Sequence, residues 1–455
     1  MEDITMRKIF QYIMLAVVTI VMASCTSDIE ETTATTGKSN VQLVVGEFPA
    51  FGDSQTRTIG TPDEGKTSWA EGDELLLVID NTSYGKQYAT FTYNGSSWEL
   101  TSGELVYREG DPAYIPHVYY APNYKWEAGK LVLKEGKVAG TDEYIEGNAN
   151  ITPNGQAITV EFSKATRNYS RLRIATMPNK PITVDINQYT PAGSSDMKLD
   201  QNYALTSDEN GNAYLYGTFE NNSEVTVKYR EATLATYTFS QATESAKSYA
   251  LDATVISANS AEEIKSAIEQ KVADGKTIIR LNLAPNAGTD EFMAIREAIK
   301  GAAPNDEGTI ELTIIGVETI PEEAFKRMLQ LKSVRMSDVK EIKKYAFKEC
   351  QYLTVVEAPS LNKLYSGAFD KCNLLSKLTF GPINYADARY WPIFEDITPN
   401  IDLILSDYQK EMIETDDDLY TANNDIDYAF SPEHVSKNFL GHEFKSITCR
   451  RYRVE

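Results

Sequence analysis

Apolar positions recur every 22 residues between Val317 and Phe380. A period of about 20 to 29 residues with apolar sites in register is typical of a solenoid, because one repeat cannot bury its own apolar face and neighbouring repeats must stack. The pattern therefore predicts stacked coils with equivalent side chains above one another. The equivalent positions are Ile320, Ile342 and Leu364; Ala324, Ala346 and Ala368; Phe325, Phe347 and Phe369; Leu331, Leu353 and Leu375; and Val334, Val356 and Leu378.

Within one period the sequence predicts two kinds of structure. Residues 333–336 and 354–357 are short and β-compatible, whereas residues 322–328 follow Pro321 and have the pattern of a short helical piece. Each coil is therefore predicted to hold a strand and a short helix. The spacing of Phe394 and Leu403 predicts a further, degenerate coil.

The repeated pattern, Ile-x3-Ala-Phe-x2-Cys-x2-Leu-x2-Val, resembles the BspA-like branch of the leucine-rich repeats. Cys350 and Cys372 fill the cysteine position of that family, and Met328 replaces it in the first copy. The resemblance implies an α/β leucine-rich-repeat solenoid in the C-terminal part of the chain, which we assign to residues 258–455.

This domain is predicted to open with two helices. Ser260 and Glu263 form a capping box at the start of an amphipathic helix that ends near Gly275. A strand over residues 278–283 and a second helix over residues 289–300 follow. We expect these elements to cover the first coil, as terminal units do in solenoids.

Residues 41–257 have strand-type patterning with almost no helical periodicity. Alternating residues flank Asn94 and Gly95, a dipeptide that tolerates positive φ, and predict a hairpin. The length of this region favours two packed all-β sandwiches, at residues 41–178 and 179–257.

Several short motifs in this region resemble the fimbrillin-like family of Bacteroidota. They are Thr56-Arg57-Thr58, residues 69–73, residues 119–122 and residues 246–249. That family includes pilus subunits in which proteolysis after an arginine frees a groove for a neighbour's strand. By resemblance, Arg57 is the candidate processing position. The chain departs from the polymerising pattern because it continues into the repeat domain.

The N-terminus has the pattern of a secretory signal: Arg7 and Lys8, then an apolar stretch, then Ala23-Ser24-Cys25. The ending resembles a bacterial lipoprotein box, which implies a signal peptide over residues 1–24 and acylation of Cys25. An ordinary secreted protein is the alternative. Residues 25–40 are predicted to be a flexible tether, and their acidic start is similar to an export signal for the outer face of the outer membrane.

Composition and the absence of known motifs exclude several classes of function. The net charge of −22 over 455 residues argues against nucleic acid as a partner, because phosphate binding needs a concentrated basic surface. No motif for a nucleophile, a phosphate loop or a dinucleotide site is present, and the three histidines are scattered. We therefore expect no enzymatic activity, no cofactor and no metal.

Two clusters leave alternatives open. Cys350 and Cys372 occupy equivalent positions in adjacent coils, so a disulfide is conceivable, although buried free thiols are favoured. The acidic stretch between Asp416 and Asp427 could bind Ca²⁺, but it lacks the regular spacing of a calcium loop, and a solvated loop is favoured.

Basic residues crowd the first two clear repeats. They form either a docking patch for an acidic partner or anionic glycan, or a mixed solvated face, since acidic residues are interleaved. The candidate patch comprises Lys326, Arg327, Lys332, Arg335, Lys343, Lys344 and Lys348.

The sequence thus predicts a non-enzymatic surface lipoprotein in which β-sandwiches carry a repeat domain outward for adhesion to an unknown protein or glycan. The membrane is contacted through the N-terminal lipid alone. The first alternative is a pilus subunit or tip component that assembles by strand exchange with other fimbrial subunits. The second is an enzyme or glycan-capture component that works with outer-membrane transporters.

Overall fold

A computed structural model describes residues 38–51, 65–107, 110, 113–151, 157–162, 167–230, 232–258, 260–387, 392–406, 438–440 and 442–449. The described chain is mostly β, with several sheets and two helices. The helices are α1 (Ala261–Ala273) and α2 (Thr289–Ala302). The described residues fall into two compact units, one within residues 38–46, 70–118 and 148–160, the other within residues 47–69, 119–147 and 161–449.

The strands are numbered in chain order. The first ten are β1 (Lys38–Ser39), β2 (Gln42–Val45), β3 (Glu74–Asn81), β4 (Gly85–Tyr93), β5 (Trp98–Leu105), β6 (Ala113–Tyr120), β7 (Tyr124–Glu127), β8 (Lys130–Leu133), β9 (Ile145–Ile151) and β10 (Ala157–Glu161). The next eight are β11 (Ser170–Ala175), β12 (Pro181–Pro191), β13 (Lys198–Thr206), β14 (Asn212–Phe219), β15 (Glu224–Tyr229), β16 (Ala232–Thr238), β17 (Ser248–Asp252) and β18 (Ile256–Ser257). The remaining strands are β19 (Ile278–Asn282), β20 (Ile310–Ile315), β21 (Thr319–Ile320), β22 (Leu331–Arg335), β23 (Glu341–Ile342), β24 (Val355–Ala358), β25 (Lys363–Tyr365), β26 (Lys377–Phe380), β27 (Tyr385–Asp387), β28 (Asp402–Leu405), β29 (Asn438–Phe439), β30 (His442–Glu443) and β31 (Ser446–Cys449).

The first unit is built on an eight-stranded sheet with the order β1-β5-β4-β3-β6-β9-β10-β2. Its β4–β5 hairpin confirms the turn predicted at Asn94 and Gly95. The Asn94 Oδ1 accepts hydrogen bonds from the backbone N–H groups of Ser96 and Ser97, and Gly95 has a φ of 93°. The side chain of Asn94 therefore satisfies the donors that the turn leaves free.

The second unit contains a seven-stranded sheet with the order β16-β15-β12-β14-β11-β17, to which β13 is added beside β12. Strand β14 alternates half-buried and buried residues along its whole length, as expected of a sheet that packs one face on a core. Residue 178, the predicted joint between two sandwiches, lies between β11 and β12 of this one sheet.

A buried ion pair is part of the second unit. The Arg167 guanidinium donates two hydrogen bonds to the Glu143 carboxylate, at 3.0 and 3.2 Å, and a third to the carbonyl of Pro49. The Tyr169 hydroxyl also donates to Glu143. Arg167 lies over the Phe51 ring at 3.8 Å. Because both charges are buried, these hydrogen bonds offset part of the hydration that the two groups lose.

The two helices that were predicted before the repeats are both present. The Ser260 Oγ accepts a hydrogen bond from the backbone N–H of Glu263, so the predicted cap is present at α1. Helix α2 buries Phe292, Ile295 and Ile299. Both helices belong to the same hydrophobic core as the coils, as expected of elements that cover the open end of a stack.

Successive coils pair through two parallel sheets. The longer has the order β18-β19-β20-β22-β24-β26-β28-β31, and the shorter has the order β21-β23-β25-β27. Val334 pairs with Val356, Val356 with Leu378, and Leu378 with Leu403. The 22-residue register read from the sequence is therefore the register of the sheet, and the predicted coil at Phe394 and Leu403 is present.

The prediction of a short helix at residues 322–328 is wrong. This segment forms turns, because only alternate backbone N–H groups bond to carbonyls three residues back, and the N–H groups between them bond to the next coil. Phe325 N donates to Ala346 O and Phe347 N donates to Ala368 O, both at 2.8 Å. Glu323 and Arg327, with φ values of 56° and 59°, have left-handed conformations that end a helix. No described coil contains a helix.

Strand β20 belongs to the longer parallel sheet but contributes side chains to two hydrophobic cores. Ile314 lies in the core of the repeats, whereas Ile315 lies in the core of the seven-stranded sheet. Adjacent residues of a strand point to opposite faces, so one strand contributes to two cores. Arg280, almost fully buried, also crosses this junction and donates to the backbone carbonyl of Leu234.

Candidate binding surface

Charged side chains on neighbouring strands of the longer parallel sheet form a continuous series of ion pairs. We name this series, Glu311, Lys332, Arg335, Glu357 and Lys377, the charge ladder. Glu311 binds Lys332 at 2.9 Å and Arg335 at 3.6 Å, and Glu357 binds Arg335 at 3.2 Å and Lys377 at 3.4 Å. Glu311 therefore pairs with two cations of one coil, and Glu357 pairs with one cation from each of two coils.

The electrostatics of the ladder follow from this alternation. Burial acts to raise the pKa of Glu311, but Lys332 and Arg335 outweigh it and hold that pKa below its usual value. The cationic side chains are between about one third and one half exposed, so solvent reaches the pairs and each contributes little to stability. The ladder is a patterned surface, with charges of both signs available to a partner.

The predicted basic patch is divided among three segments of the coil. Lys332 and Arg335 lie on β22. Lys343 and Lys344 follow β23 of the shorter sheet. Lys326, Arg327 and Lys348 lie in the turn segments, with Lys326 and Lys348 at 5.9 and 5.0 Å from the Tyr345 ring.

The acids interleaved with the patch pair with its cations. In the turn segments, Lys326 pairs with Glu323, Arg327 pairs with Glu349 at 2.6 Å, and Lys348 pairs with the fully buried carboxylate of Asp370. On the shorter sheet Lys343 pairs with Glu341 at 2.8 Å.

The shorter sheet carries two tyrosines in neighbouring coils. The rings of Tyr365 and Tyr385 lie with centroids 5.4 Å apart, and the Lys343 ammonium lies 4.5 Å from the Tyr365 ring. The Tyr365 hydroxyl donates to Glu341. Burial acts to raise the pKa of Glu341, but Lys343 and Tyr365 outweigh it and lower that pKa.

The sequence alone did not identify Glu311, Glu357 or Lys377 as members of the surface. One signal was present: Arg335 and Glu357 are opposite charges 22 residues apart, on adjacent coils. A search for opposite charges at the repeat period would have found this pair, but not Glu311 or Lys377, whose ion pairs join residues 20, 21 or 24 positions apart.

The two cysteines of the repeats are free thiols that serve the core. The Cys350 thiol donates to the carbonyl of Phe325 and the Cys372 thiol donates to the carbonyl of Phe347, in each case in the preceding coil. Burial raises the pKa of Cys350 to about 12 and also raises that of Cys372. Thiols held in this form are poor nucleophiles.

Several predicted features lie outside the described residues, namely the signal with Cys25, residues 26–37 of the tether, Arg57 and the acidic stretch from Asp416 to Asp427. Residues 38–40 of the predicted tether are described, and Lys38 and Ser39 form β1, which pairs with β5. Across the described ranges, no helix has the length and apolar character needed to cross a membrane. In the same ranges no three His, Cys, Asp or Glu side chains converge as metal ligands.

Comparison with known proteins identifies the class of the repeats. Residues 311–390 match, in six copies, the family described as the BspA type leucine rich repeat region. The match spans less than a fifth of the chain, so the repeats belong to that class and the remainder is unassigned. Among curated proteins, none matches the chain.

Two solved structures are similar to part of the chain. One is the minor pilin GBS52 of Streptococcus agalactiae, with 9% identity, a TM-score of 0.17, and coverage of 47% of this chain and 94% of that one. The other is the shaft pilin spaA of Lactobacillus rhamnosus GG, with 13% identity, a TM-score of 0.16, and coverage of 47% and 96%. At these TM-scores neither likeness carries an argument.

Proposed function

We propose that the protein is a non-enzymatic cell-surface lipoprotein whose leucine-rich-repeat solenoid binds a protein or glycan on a host or bacterial surface. The observation that carries the proposal is the charge ladder, in which Glu311, Arg335 and Glu357 continue one pattern across adjacent coils. Charges repeated at a fixed spacing favour a partner with a complementary, extended pattern.

The mechanism is multipoint contact along the outer face of the longer sheet. Each ladder pair is partly exposed and individually weak, so a partner can replace an internal ion pair by an external one at small cost. Many such contacts together give affinity and fix the register of the partner. No single pocket is needed for this mode of binding.

The test is a protein and glycan array probed with the full chain and with two triple variants. In the first variant the ladder cations are neutralised: Lys332→Gln, Arg335→Gln and Lys377→Gln. In the matched control, three cations outside the ladder are neutralised: Lys326→Gln, Arg327→Gln and Lys343→Gln. We expect the ladder variant to lose roughly tenfold or more in affinity, and the control to lose less. Equal losses would contradict the proposal.

Anchoring by acylated Cys25 on the outer face of the outer membrane is part of the proposal. Its support is the lipoprotein-box sequence at residues 23–25. Several buried acyl chains hold a protein firmly, because each buried CH₂ contributes about 0.8 kcal/mol. Cys25→Ser should release the protein from the membrane, and added protease should digest the wild-type protein on intact cells.

The alternative function, a pilus subunit or tip component assembled by strand exchange, has one structural feature in its favour. Strand β13 pairs with β12 on one side only among the described strands, and its Leu199 is 67% exposed. An open edge of this kind can accept a strand from another chain. Electrophoresis of unboiled surface extracts should then show a ladder of species and a new N-terminus at Thr58. Intact monomer favours the surface lipoprotein.

A further inference from the structure

A polar cleft of about 670 Å³ lies where the turn between β15 and β16 faces the corners of the coils. Its lining includes Arg230 from that turn and Glu318, Asp338, Lys340 and Ser360 from successive coils. These residues are not members of the charge ladder. Clefts at the junction of two structural parts are favoured positions for ligand sites.

Arg230 carries a charge that the cleft itself does not neutralise. It is exposed and pairs with none of the described carboxylates, whereas Lys340 pairs with Glu318 at 2.6 Å. The guanidinium lies 5.2 Å from the centre of the Tyr229 ring, and Tyr229 is itself buried. The aromatic ring thus restrains a cation whose planar group binds carboxylates through two parallel hydrogen bonds.

Asp338 supplies the opposite kind of group to the same cleft. Its Oδ2 accepts a hydrogen bond from the backbone N–H of Gly316 at 2.8 Å, which fixes the half-buried carboxylate. A carboxylate has acceptor sites on both oxygens, so Oδ1 can accept a further hydrogen bond. The exposed hydroxyl of Ser360 can donate or accept beside it.

We propose that this cleft binds a saccharide that carries a carboxylate. Arg230 would pair with the carboxylate, and Asp338 and Ser360 would bond the ring hydroxyls. The lining has two cations and two carboxylates, so a simple polyanion gains little from it, whereas a sugar acid offers one negative group and several donors. The volume is large enough for more than one sugar ring.

The experiment is a titration of the full chain with four probes, followed by ligand-observed NMR. 3′-Sialyllactose and galacturonate each carry one carboxylate and come from two different kinds of glycan, lactose is the neutral counterpart of the first, and trialanine is a zwitterionic peptide. We expect at least one of the two sugar acids to bind, and lactose and trialanine to bind at least tenfold more weakly. Binding of lactose as strong as that of the sugar acids, or stronger binding of trialanine, would overturn the proposal.

Three variants then locate the site. Arg230→Gln should weaken the sugar acid at least tenfold, and Lys130→Gln, which removes an exposed cation outside the cleft, should leave it unchanged. Asp338→Asn decides the mechanism, because asparagine can still accept from Gly316 but removes a negative charge. If Asp338 accepts sugar hydroxyls, its replacement weakens binding. If binding follows from electrostatic attraction alone, the replacement strengthens it and the proposal fails.

The failure of this inference is distinguishable from failure of the proposed function. The triple variant of the charge ladder should bind the sugar acid like the wild type, and Arg230→Gln should retain binding to the partner of the ladder. Circular dichroism melting of each variant checks that the fold is intact. Loss of sugar-acid binding in the ladder variant with an unchanged melting temperature would also overturn the assignment to the cleft.

Discussion

Phe347 and Phe369 lie one above the other, with ring centroids 5.4 Å apart and ring planes 6° from parallel. Phe325 continues the column on one side at 5.2 Å, and Phe394 continues it on the other at 5.7 Å. Each ring is buried, and each comes from the equivalent position of its coil. The column is the internal counterpart of the charge ladder, since both follow from one repeat period.

Truncation of a central ring should therefore destabilise the whole stack. We expect Phe347→Ala to lower the free energy of unfolding by about 3 to 5 kcal/mol, because it leaves a cavity between two rings. Phe347→Leu, which fills part of that space, should cost clearly less. Chemical denaturation followed by circular dichroism measures both, and equal costs would argue against cavity formation.

The repeat thiols should be unreactive until the protein unfolds. Burial raises the pKa of Cys350 to about 12, so almost no thiolate is present near neutral pH. In the Cys25→Ser, Cys449→Ser variant, we expect no reaction with a thiol reagent at about pH 8 in the native state. In denaturant without reductant, both remaining cysteines should react. The disulfide alternative predicts no reaction in either state.

His442 should make stability depend on pH at the far end of the stack. Its ring packs against Phe394 and Phe444, and burial lowers its pKa below the usual 6.5. The hydrogen bond that the ring donates to the backbone carbonyl of Thr398 and the charge of Glu443 act in the opposite direction. The neutral ring is therefore favoured in the folded state. As pH falls below about 6.5, the unfolded chain takes up a proton that the folded chain resists, and stability decreases.

Thermal unfolding at about pH 7.5 and about pH 5 measures this effect. We expect the wild-type melting temperature to fall more between the two values than that of His442→Phe, which keeps an aromatic ring and removes the titration. An identical fall in both proteins would assign the pH dependence to other groups.

The buried pair of Glu143 and Arg167 predicts a double-mutant result. Arg167→Met should cost about 3 to 5 kcal/mol, because it leaves a buried carboxylate without its cation. Addition of Glu143→Gln removes that charge and keeps an acceptor for Tyr169, so the double variant should recover part of the loss. Urea unfolding of the wild type, of Arg167→Met and of the double variant tests this, and a double variant less stable than Arg167→Met would refute it.

The sequence predicted the interior of the repeats better than their surface. Positions such as Phe325 and Val334 are fixed by one requirement, burial at a constant period, so the pattern alone specifies their neighbours. Residues 322–328 were predicted to be helical because they follow Pro321, which is a favoured residue at the start of a helix, but the same residue types fit a turn. The turn is stabilised over the helix by backbone hydrogen bonds between coils, such as the one from Phe325 N to Ala346 O. Backbone hydrogen bonds of this kind do not require particular residue types, so the sequence does not reveal them.

Longer-range relationships could not be read from periodicity. Arg230, at a hairpin turn, and Asp338 line the same cleft, although α1, α2 and the seven strands β16 to β22 lie between them in sequence. The charge ladder was partly visible, since the predicted basic patch contained Lys332 and Arg335, but the sequence did not identify their acidic partners Glu311 and Glu357. Pairing across coils, rather than charge density, defines that surface.

The strand that serves two cores has a consequence for how this protein can change over time. Because Ile315 is packed among residues of the seven-stranded sheet, a coil inserted or deleted at β20 would disrupt both cores. In coils farther along the chain, Leu364 and Leu378 belong to the core of the repeats alone. Insertion or deletion of a coil should therefore be tolerated beyond Phe347 and not tolerated at β20. Related proteins would then differ in the number of coils and keep the same structure at β20.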